Sequence, residues 1–122
     1  MTREEQTGKR CLDFSRWIRR SLPDSYDGYM VSDVDFILAD VVTKKIMLVE
    51  EKTHSADCKK WQKNLFRNID RWISYGIEND SNDWEYLGFH VVTFENTAPY
   101  NGLIWFDNKL VTEKQLIDKL SF

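Results

Sequence analysis

The fold prediction starts from one segment of the sequence, Lys45-Ile46-Met47-Leu48-Val49-Glu50-Glu51-Lys52. Its apolar residues are typical of a buried β-strand, and three charged residues follow them without a break. A second apolar run, residues 34–39, precedes it and carries Asp35 near its start. The two runs are close enough in the chain to pair as an antiparallel hairpin. Because apolar residues occupy both faces of each run, we expect two central strands that are covered on both sides.

Helices and further strands are predicted around this hairpin. In chain order they are a helix over residues 3–20, a helix over 57–75 with Ser55 as its N-cap, strands over 86–94 and 103–106, and a final short helix that the capping box Thr112-Glu113-Lys114-Gln115 opens. The predicted fold class is therefore α/β, a mixed central sheet flanked by helices. With 122 residues, the chain is expected to form a single domain, residues 1–122.

Composition narrows the class of protein and its compartment. The chain has a net charge of −3 and no apolar run near the roughly 20 residues that span a bilayer, so we expect no membrane association. The polar N-terminus lacks the apolar region of a signal peptide. Cys11 and Cys58 have no spacing typical of a zinc or redox site. These features together favour a cytoplasmic protein.

Charge is unevenly distributed along the chain. Residues 59–71 contain five Lys or Arg and one acidic residue, whereas residues 76–96 contain five acidic residues and no Lys or Arg. On the predicted helix, Lys60, Lys63 and Arg67 fall on the side opposite the apolar arc. They are candidate nucleic-acid-binding residues, although such a stripe is more often only a solvated helix face.

The candidate active site depends on the register of the hairpin. If paired residue numbers sum to 85, Asp35 lies opposite Glu50, with Cβ atoms roughly 4.5–5.5 Å apart. Lys52 shares the face of Glu50, and Glu51 points to the other side because strand side chains alternate. A shift of one residue would place Asp35 on the wrong face.

These residue types suit metal-assisted hydrolysis of a phosphodiester. Two close carboxylates repel unless a cation or proton lies between them. Two carboxylates with a backbone carbonyl suit Mg²⁺, a hard ion that favours oxygen ligands and keeps several waters. A lysine beside the ion can hold the attacking water or stabilise charge that develops on the phosphate. The alternative interpretation is a structural ion pair at the end of a sheet.

The same residues resemble a known family. Asp35-Phe36-Ile37-Leu38 followed by Leu48-Val49-Glu50-Glu51-Lys52 is similar to the signature of the PD-(D/E)xK nuclease superfamily, although Val34 stands where that pattern has Pro. The resemblance covers residues 3–107 and implies a restriction-endonuclease-like fold with an αβββαβ core. It implies that Asp35 and Glu50 are catalytic metal ligands for Mg²⁺ or Mn²⁺, that the Glu51 backbone carbonyl is a further ligand, and that Lys52 is the catalytic lysine.

Three further residues are candidates for supporting roles. Gln62 lies within the apolar arc of the predicted helix, where its amide needs a partner. It could reach the carboxylates or bond to backbone, and the segment Gln62-Lys63-Asn64-Leu65-Phe66 resembles the Gln-x-x-x-Tyr of exonuclease-like branches with Phe for Tyr. A first-helix acid occurs in the superfamily, so Glu4 is a candidate, although a surface position without a site role is the commoner case for such a residue. Asp33 is a rival to Asp35 for the metal-ligand role.

The sequence thus predicts a metal-dependent nuclease, an endonuclease or exonuclease, that hydrolyses phosphodiester bonds. DNA is favoured over RNA as the partner. One small domain offers little surface for sequence readout, so cleavage is expected to be structure-directed or weakly sequence-specific, and a homodimer that cuts two strands fits this expectation. The alternative function is a non-catalytic nucleic-acid- or protein-binding module on a nuclease-like fold, which the acidic segment 76–96 favours.

Overall fold

The computed structural model describes residues 12–122 and divides the chain into two units, Met1–Asp33 and Val34–Phe122. In the first unit, helix α1 spans Asp13–Ser21 and a 3-10 helix covers Ser25–Asp27. On α1, the rings of Phe14 and Trp17 stack with their centroids 5.8 Å apart. α1 corresponds to the second half of the helix expected over residues 3–20, and the first half lies outside the described residues.

The second unit is built on a five-stranded sheet. Its elements are β1 (Phe36–Asp40), β2 (Lys45–Lys52), α2 (Lys60–Asn79), β3 (Glu85–Phe94), β4 (Ile104–Phe106), β5 (Lys109–Val111) and α3 (Glu113–Leu120). The strands are ordered β1-β2-β3-β4-β5; β2 and β3 are parallel, and the other neighbouring pairs are antiparallel. The parallel pair needs a crossover, which α2 provides. The predicted α/β class with a mixed sheet is confirmed.

The two faces of this sheet are covered by different helices. On one face, Met47 and Val49 of β2 join an apolar cluster that includes Ile104 and, from α3, Leu116. On the other face, Phe66 of α2 stacks on a ring from β3, with the ring centroids 4.5 Å apart. Strand alternation therefore places Leu48, Glu50 and Lys52 on the α2 face.

The expectation of two doubly covered hairpin strands is wrong for β1. Within the sheet β1 pairs with β2 alone and forms an edge. Phe36 and Ile37 are accordingly 51% and 64% exposed. β2 does lie inside the sheet, with four consecutive buried residues from Met47 to Glu50. Apolar content alone did not distinguish the two, because an edge strand can be equally rich in apolar residues.

The predicted N-cap of α2 is also wrong. Ser55 has a positive φ of 56° and its backbone N–H donates to the Phe94 carbonyl at 2.9 Å. The neighbouring His54 N–H likewise bonds to the Asn96 carbonyl. These bonds hold the loop after β2 against the end of β3, so α2 begins only at Lys60.

The strand order differs from αβββαβ in the described part of the chain. Two strands rather than three precede α2, because residues 29–34 form no strand. After α2 there are three strands, since a tight turn with positive φ at Asp107 and Asn108 leads into β5, which was not predicted.

The predicted capping box of α3 is confirmed, with the Thr112 hydroxyl accepting from the Gln115 N–H at 3.1 Å. No helix within residues 12–122 has the length and apolarity needed to cross a bilayer.

Candidate active site

The hairpin register places Asp35 at the end of β2. β1 and β2 pair from Phe36 with Val49 to Asp40 with Lys45, so paired residue numbers sum to 85, which is the register that the candidate site requires. Continued by one residue, this register sets Asp35 opposite Glu50. The Asp35 carboxylate also accepts a hydrogen bond from the Glu51 backbone N–H at 2.9 Å. Asp35 is therefore anchored to the last residues of β2.

Glu50 is a buried carboxylate with one uncommitted oxygen. The residue is 4% exposed, which is as buried as the apolar core. Its Oε1 lies 3.4 Å from the Lys52 ammonium nitrogen. Its Oε2 is buried and has no hydrogen-bond partner within residues 12–122. An unpaired buried polar atom costs roughly 1–3 kcal/mol, and more when it is charged.

The surroundings of Glu50 disfavour the ionised form of its carboxyl and so raise its pKa. Burial raises the pKa of Glu50 to about 7, the negative charge of Asp35 adds to the rise, and the positive charge of Lys52 opposes it. The pKa of Glu51 is also raised, by burial and by Asp35. A cation placed between Asp35 and Glu50 would reverse this effect, because an opposite charge favours the ionised form of a carboxyl.

Gln62 links Lys52 to the start of α2. Its Oε1 accepts from the Lys52 ammonium at 3.2 Å and from the Lys59 backbone N–H at 3.4 Å. The backbone bond expected as one alternative for Gln62 is therefore present, and its other contact is with Lys52 rather than with a carboxylate. Lys52 is held between Glu50 and Gln62, with its side chain 18% exposed.

The remaining candidate residues lie at or beyond the edge of this cluster. Glu4 is outside the described residues. Asp33 is exposed and is the last residue of the first unit, whereas Asp35 belongs to the second unit and bonds to β2. The hydrogen bond to the Glu51 N–H therefore fixes Asp35 at the end of the strand that carries Glu50.

The predicted basic stripe is exposed, and its members differ in their contacts. Lys63 forms an ion pair with Asp57 at 2.8 Å, so its charge is already partly compensated. Lys63 and Arg67 both line a cavity of about 490 Å³, and Lys60 is exposed at the start of α2. Neither Lys60 nor Arg67 makes an ion pair with another residue of the described chain.

Sequence reasoning missed Cys58 at this site. Cys58 is 7% exposed, and burial raises the pKa of its thiol. The charges of Lys52 and Glu50 also act on that pKa, which indicates that the thiol lies near both groups. No motif could have indicated this, because the contact depends on the loop that connects β2 to α2.

The protein donors available to a metal ion are few. Residues 12–122 contain no group of three or more His, Cys, Asp or Glu side chains arranged to hold a metal. At the end of β2 the oxygen donors are the carboxylates of Asp35 and Glu50, together with backbone carbonyls. Mg²⁺ is the metal for which so small a set is ordinary, because it usually retains several waters.

Comparison with known proteins gives one relative and no family. No family model matches the chain, and no solved structure matches it. An uncharacterized protein of Archaeoglobus fulgidus is 30% identical over 80 residues, which is 65% of this chain and 53% of that protein. The chain therefore spans about half the length of this relative.

Proposed function

We propose that this protein is a metal-dependent nuclease that hydrolyses phosphodiester bonds, with DNA as its preferred substrate. The proposal rests mainly on Glu50, a buried carboxylate beside Lys52 with one oxygen that has no hydrogen-bond partner among residues 12–122. A structural ion pair would leave neither oxygen unsatisfied, because burial makes such a vacancy costly. A site that takes up a cation explains both the burial and the free oxygen.

The residues at the end of β2 fit a magnesium ion. Asp35 and Glu50 would hold it through their carboxylates, and the Glu51 carbonyl would be a further ligand. The hydrogen bond from the Glu51 N–H fixes one oxygen of Asp35 and leaves the carboxylate next to β2. When bound, Mg²⁺ or Mn²⁺ supplies positive charge at the scissile phosphate and lowers the pKa of a coordinated water.

Lys52 would act directly on the reacting groups. Its ammonium is oriented by Glu50 and Gln62, at 3.4 and 3.2 Å, and it is partly accessible from outside. It could hold the attacking water or stabilise negative charge that develops on the phosphate. Attack of water on phosphorus, with cleavage of the bond to the 3′ oxygen, would leave a 5′-phosphate and a 3′-hydroxyl.

The arrangement of elements supports a restriction-endonuclease-like fold as part of this proposal. An antiparallel hairpin precedes α2, and α2 connects β2 to a parallel β3. Asp35 lies at the start of the hairpin and Glu50 and Lys52 at its end, as the resemblance requires. The difference is that two strands, not three, precede α2 in the described chain.

The test is a cleavage assay on single-stranded, duplex and branched DNA and RNA with Mg²⁺, with Mn²⁺ and with EDTA. We expect cleavage of at least one DNA substrate, dependent on the divalent ion and lost in Glu50→Ala and Lys52→Ala. If the wild-type protein and both variants behave identically, the nuclease proposal fails. Binding of a substrate without cleavage under any ionic condition would instead favour the non-catalytic binding module.

A further inference from the structure

A tryptophan lies in the same row of the sheet as the catalytic lysine. Lys52 pairs with Thr93 on β3, and Thr93 pairs with Trp105 on β4. Paired residues of adjacent strands point to the same face, and each step across the sheet is about 4.8 Å. The Trp105 backbone therefore lies on the order of 10 Å from that of Lys52, and its side chain is on the α2 face.

Trp105 forms part of the wall of a small polar cavity. The cavity has a volume of about 270 Å³ and is lined by Ser55, Ala56, Asp57, Thr93, Trp105 and Asn108. The side-chain polar atoms of Ser55, Thr93 and Asn108 make no hydrogen bond within residues 12–122. An indole surface with a few uncommitted polar groups is the environment in which proteins hold a planar heterocycle.

The adjoining cavity contains an arginine, Arg67, that has no ion-pair partner among the described residues. This is the larger cavity of about 490 Å³, which shares Asp57 and Asn108 with the smaller one. Its acidic groups are engaged: Asp57 pairs with Lys63, and the Asp70 carboxylate accepts from the Tyr86 hydroxyl at 2.9 Å. Another lining residue, Asp107, pairs with a histidine ring at 2.6 Å. Arg67 makes no ion pair with the described residues, so its guanidinium is available to a phosphate.

We propose that the two cavities form one groove for single-stranded nucleic acid, in which an unpaired base stacks on Trp105 and the strand continues toward Arg67. This inference rests on the proposed function for the class of ligand. A base that is paired and stacked in a duplex cannot enter a cavity of this size. The net charge of −3 also gives little general attraction to duplex phosphates, so stacking contributes more of the binding. The substrate class is therefore an unpaired strand or an unpaired segment within a duplex.

The test compares the affinities of Trp105→Leu and Trp105→Phe for a fluorescein-labelled single strand of mixed sequence, by anisotropy in EDTA at fixed salt. Leu keeps an apolar side chain without the aromatic face, whereas Phe keeps a ring. We expect Trp105→Leu to weaken binding roughly ten-fold and Trp105→Phe to restore most of the affinity. Trp72→Leu is the matched control, because Trp72 is 58% exposed on α2 and does not line either cavity.

Two results would overturn the groove. One is equal affinity of Trp105→Leu and Trp72→Leu for the single strand. The other is wild-type binding of the matching duplex at least as tight as binding of the single strand. A second comparison, in which the wild-type protein binds a strand without bases and the matching strand with bases, does not depend on any variant folding. We expect the strand without bases to bind roughly ten-fold more weakly, and equal affinities would contradict the proposal.

The outcomes also separate this inference from the nuclease proposal. Cleavage that requires Glu50 and Lys52 but is unchanged in Trp105→Leu would support the nuclease proposal and contradict the groove proposal. Single-strand binding that depends on Trp105, without cleavage in Mg²⁺ or Mn²⁺, would support the groove proposal and contradict the nuclease proposal.

Discussion

The two faces of β2 carry neighbouring residues that are equally buried, one apolar and the other ionisable. Val49 is 5% exposed within the apolar cluster under α3, and the next residue, Glu50, is 4% exposed under α2. Val49 stabilises the fold by leaving water, whereas Glu50 loses hydration and, among the described residues, gains only Lys52 as a cationic neighbour. Replacement of a buried ionic group by an apolar one is often neutral or stabilising. The α2 face therefore carries a residue that folding alone does not explain.

Replacement of Lys52, on the α2 face, should have the largest effect, and this effect is on the rate of cleavage. In Lys52→Met the side chain keeps its approximate length and loses its charge, so cleavage should fall by roughly 10²–10³. The assay is the initial rate on the best DNA substrate in Mg²⁺. Lys109→Met, at an exposed lysine of β5, is the control and should retain the wild-type rate. Equal rates for the two variants would show that Lys52 has no role in the chemistry.

A truncation on the α3 face should affect stability and leave the chemistry intact. Val49→Ala removes two methyl groups from the apolar cluster and should lower the free energy of unfolding by about 2 kcal/mol. Urea denaturation measures this loss, and cleavage is then assayed at a temperature where the variant is folded. A loss of activity as large as that of Lys52→Met would contradict the separation of the two faces.

Neutralising the carboxyl of the α2 face should stabilise the metal-free protein. The pKa of Glu50 rises from an ordinary value of 4.5 to about 7 in the fold, so stability decreases as pH increases through this window. Glu50→Gln removes that penalty and should raise the free energy of unfolding by about 1–2 kcal/mol at pH 8 in EDTA. Glu78→Gln, at an exposed position of α2, should change it by less than about 0.5 kcal/mol. A destabilised Glu50→Gln protein would indicate that the carboxylate is a structural ion-pair partner.

The smallest expected effect is on the pH dependence of stability and comes from His90, which pairs with Val49 across the sheet. His90 Nδ1 lies 2.6 Å from the Asp107 carboxylate and Nε2 lies 2.7 Å from the Leu87 carbonyl oxygen. Two acceptors favour the imidazolium, and the Asp107 carboxylate in particular raises the pKa of His90 above 6.5. The associated stability is complete below pH 6.5 and is lost as pH rises through the raised pKa. His90→Gln should flatten this part of the pH profile, by under about 1 kcal/mol, in urea titrations; an unchanged profile would assign the pH dependence elsewhere.

The hairpin shows how much of the site could be predicted from the sequence. Strand alternation and the short connection left two registers open, and the structure has the one that sets Asp35 opposite Glu50. The position of β1 at the sheet edge could not be predicted, since it depends on which strands pair across the whole sheet. Apolar side chains are compatible with either position.

Residues that reach the site through tertiary structure were the least predictable. Trp105 joins the row of Lys52 only because β3 lies between them, and no sequence spacing encodes that pairing. Cys58 becomes buried because the loop before α2 bonds to the end of β3. Gln62 was identified because a polar residue in an apolar helical arc must find a partner.

In the proposed site, the buried Glu50 would bind a divalent ion together with Asp35. The most direct measurement is Mn²⁺ binding, followed by the loss of the free-ion electron paramagnetic resonance signal, for wild-type protein, Glu50→Gln and Asp35→Asn. We predict saturable binding by the wild-type protein that is lost or strongly weakened in both variants. The same binding curve for all three proteins would contradict the claim.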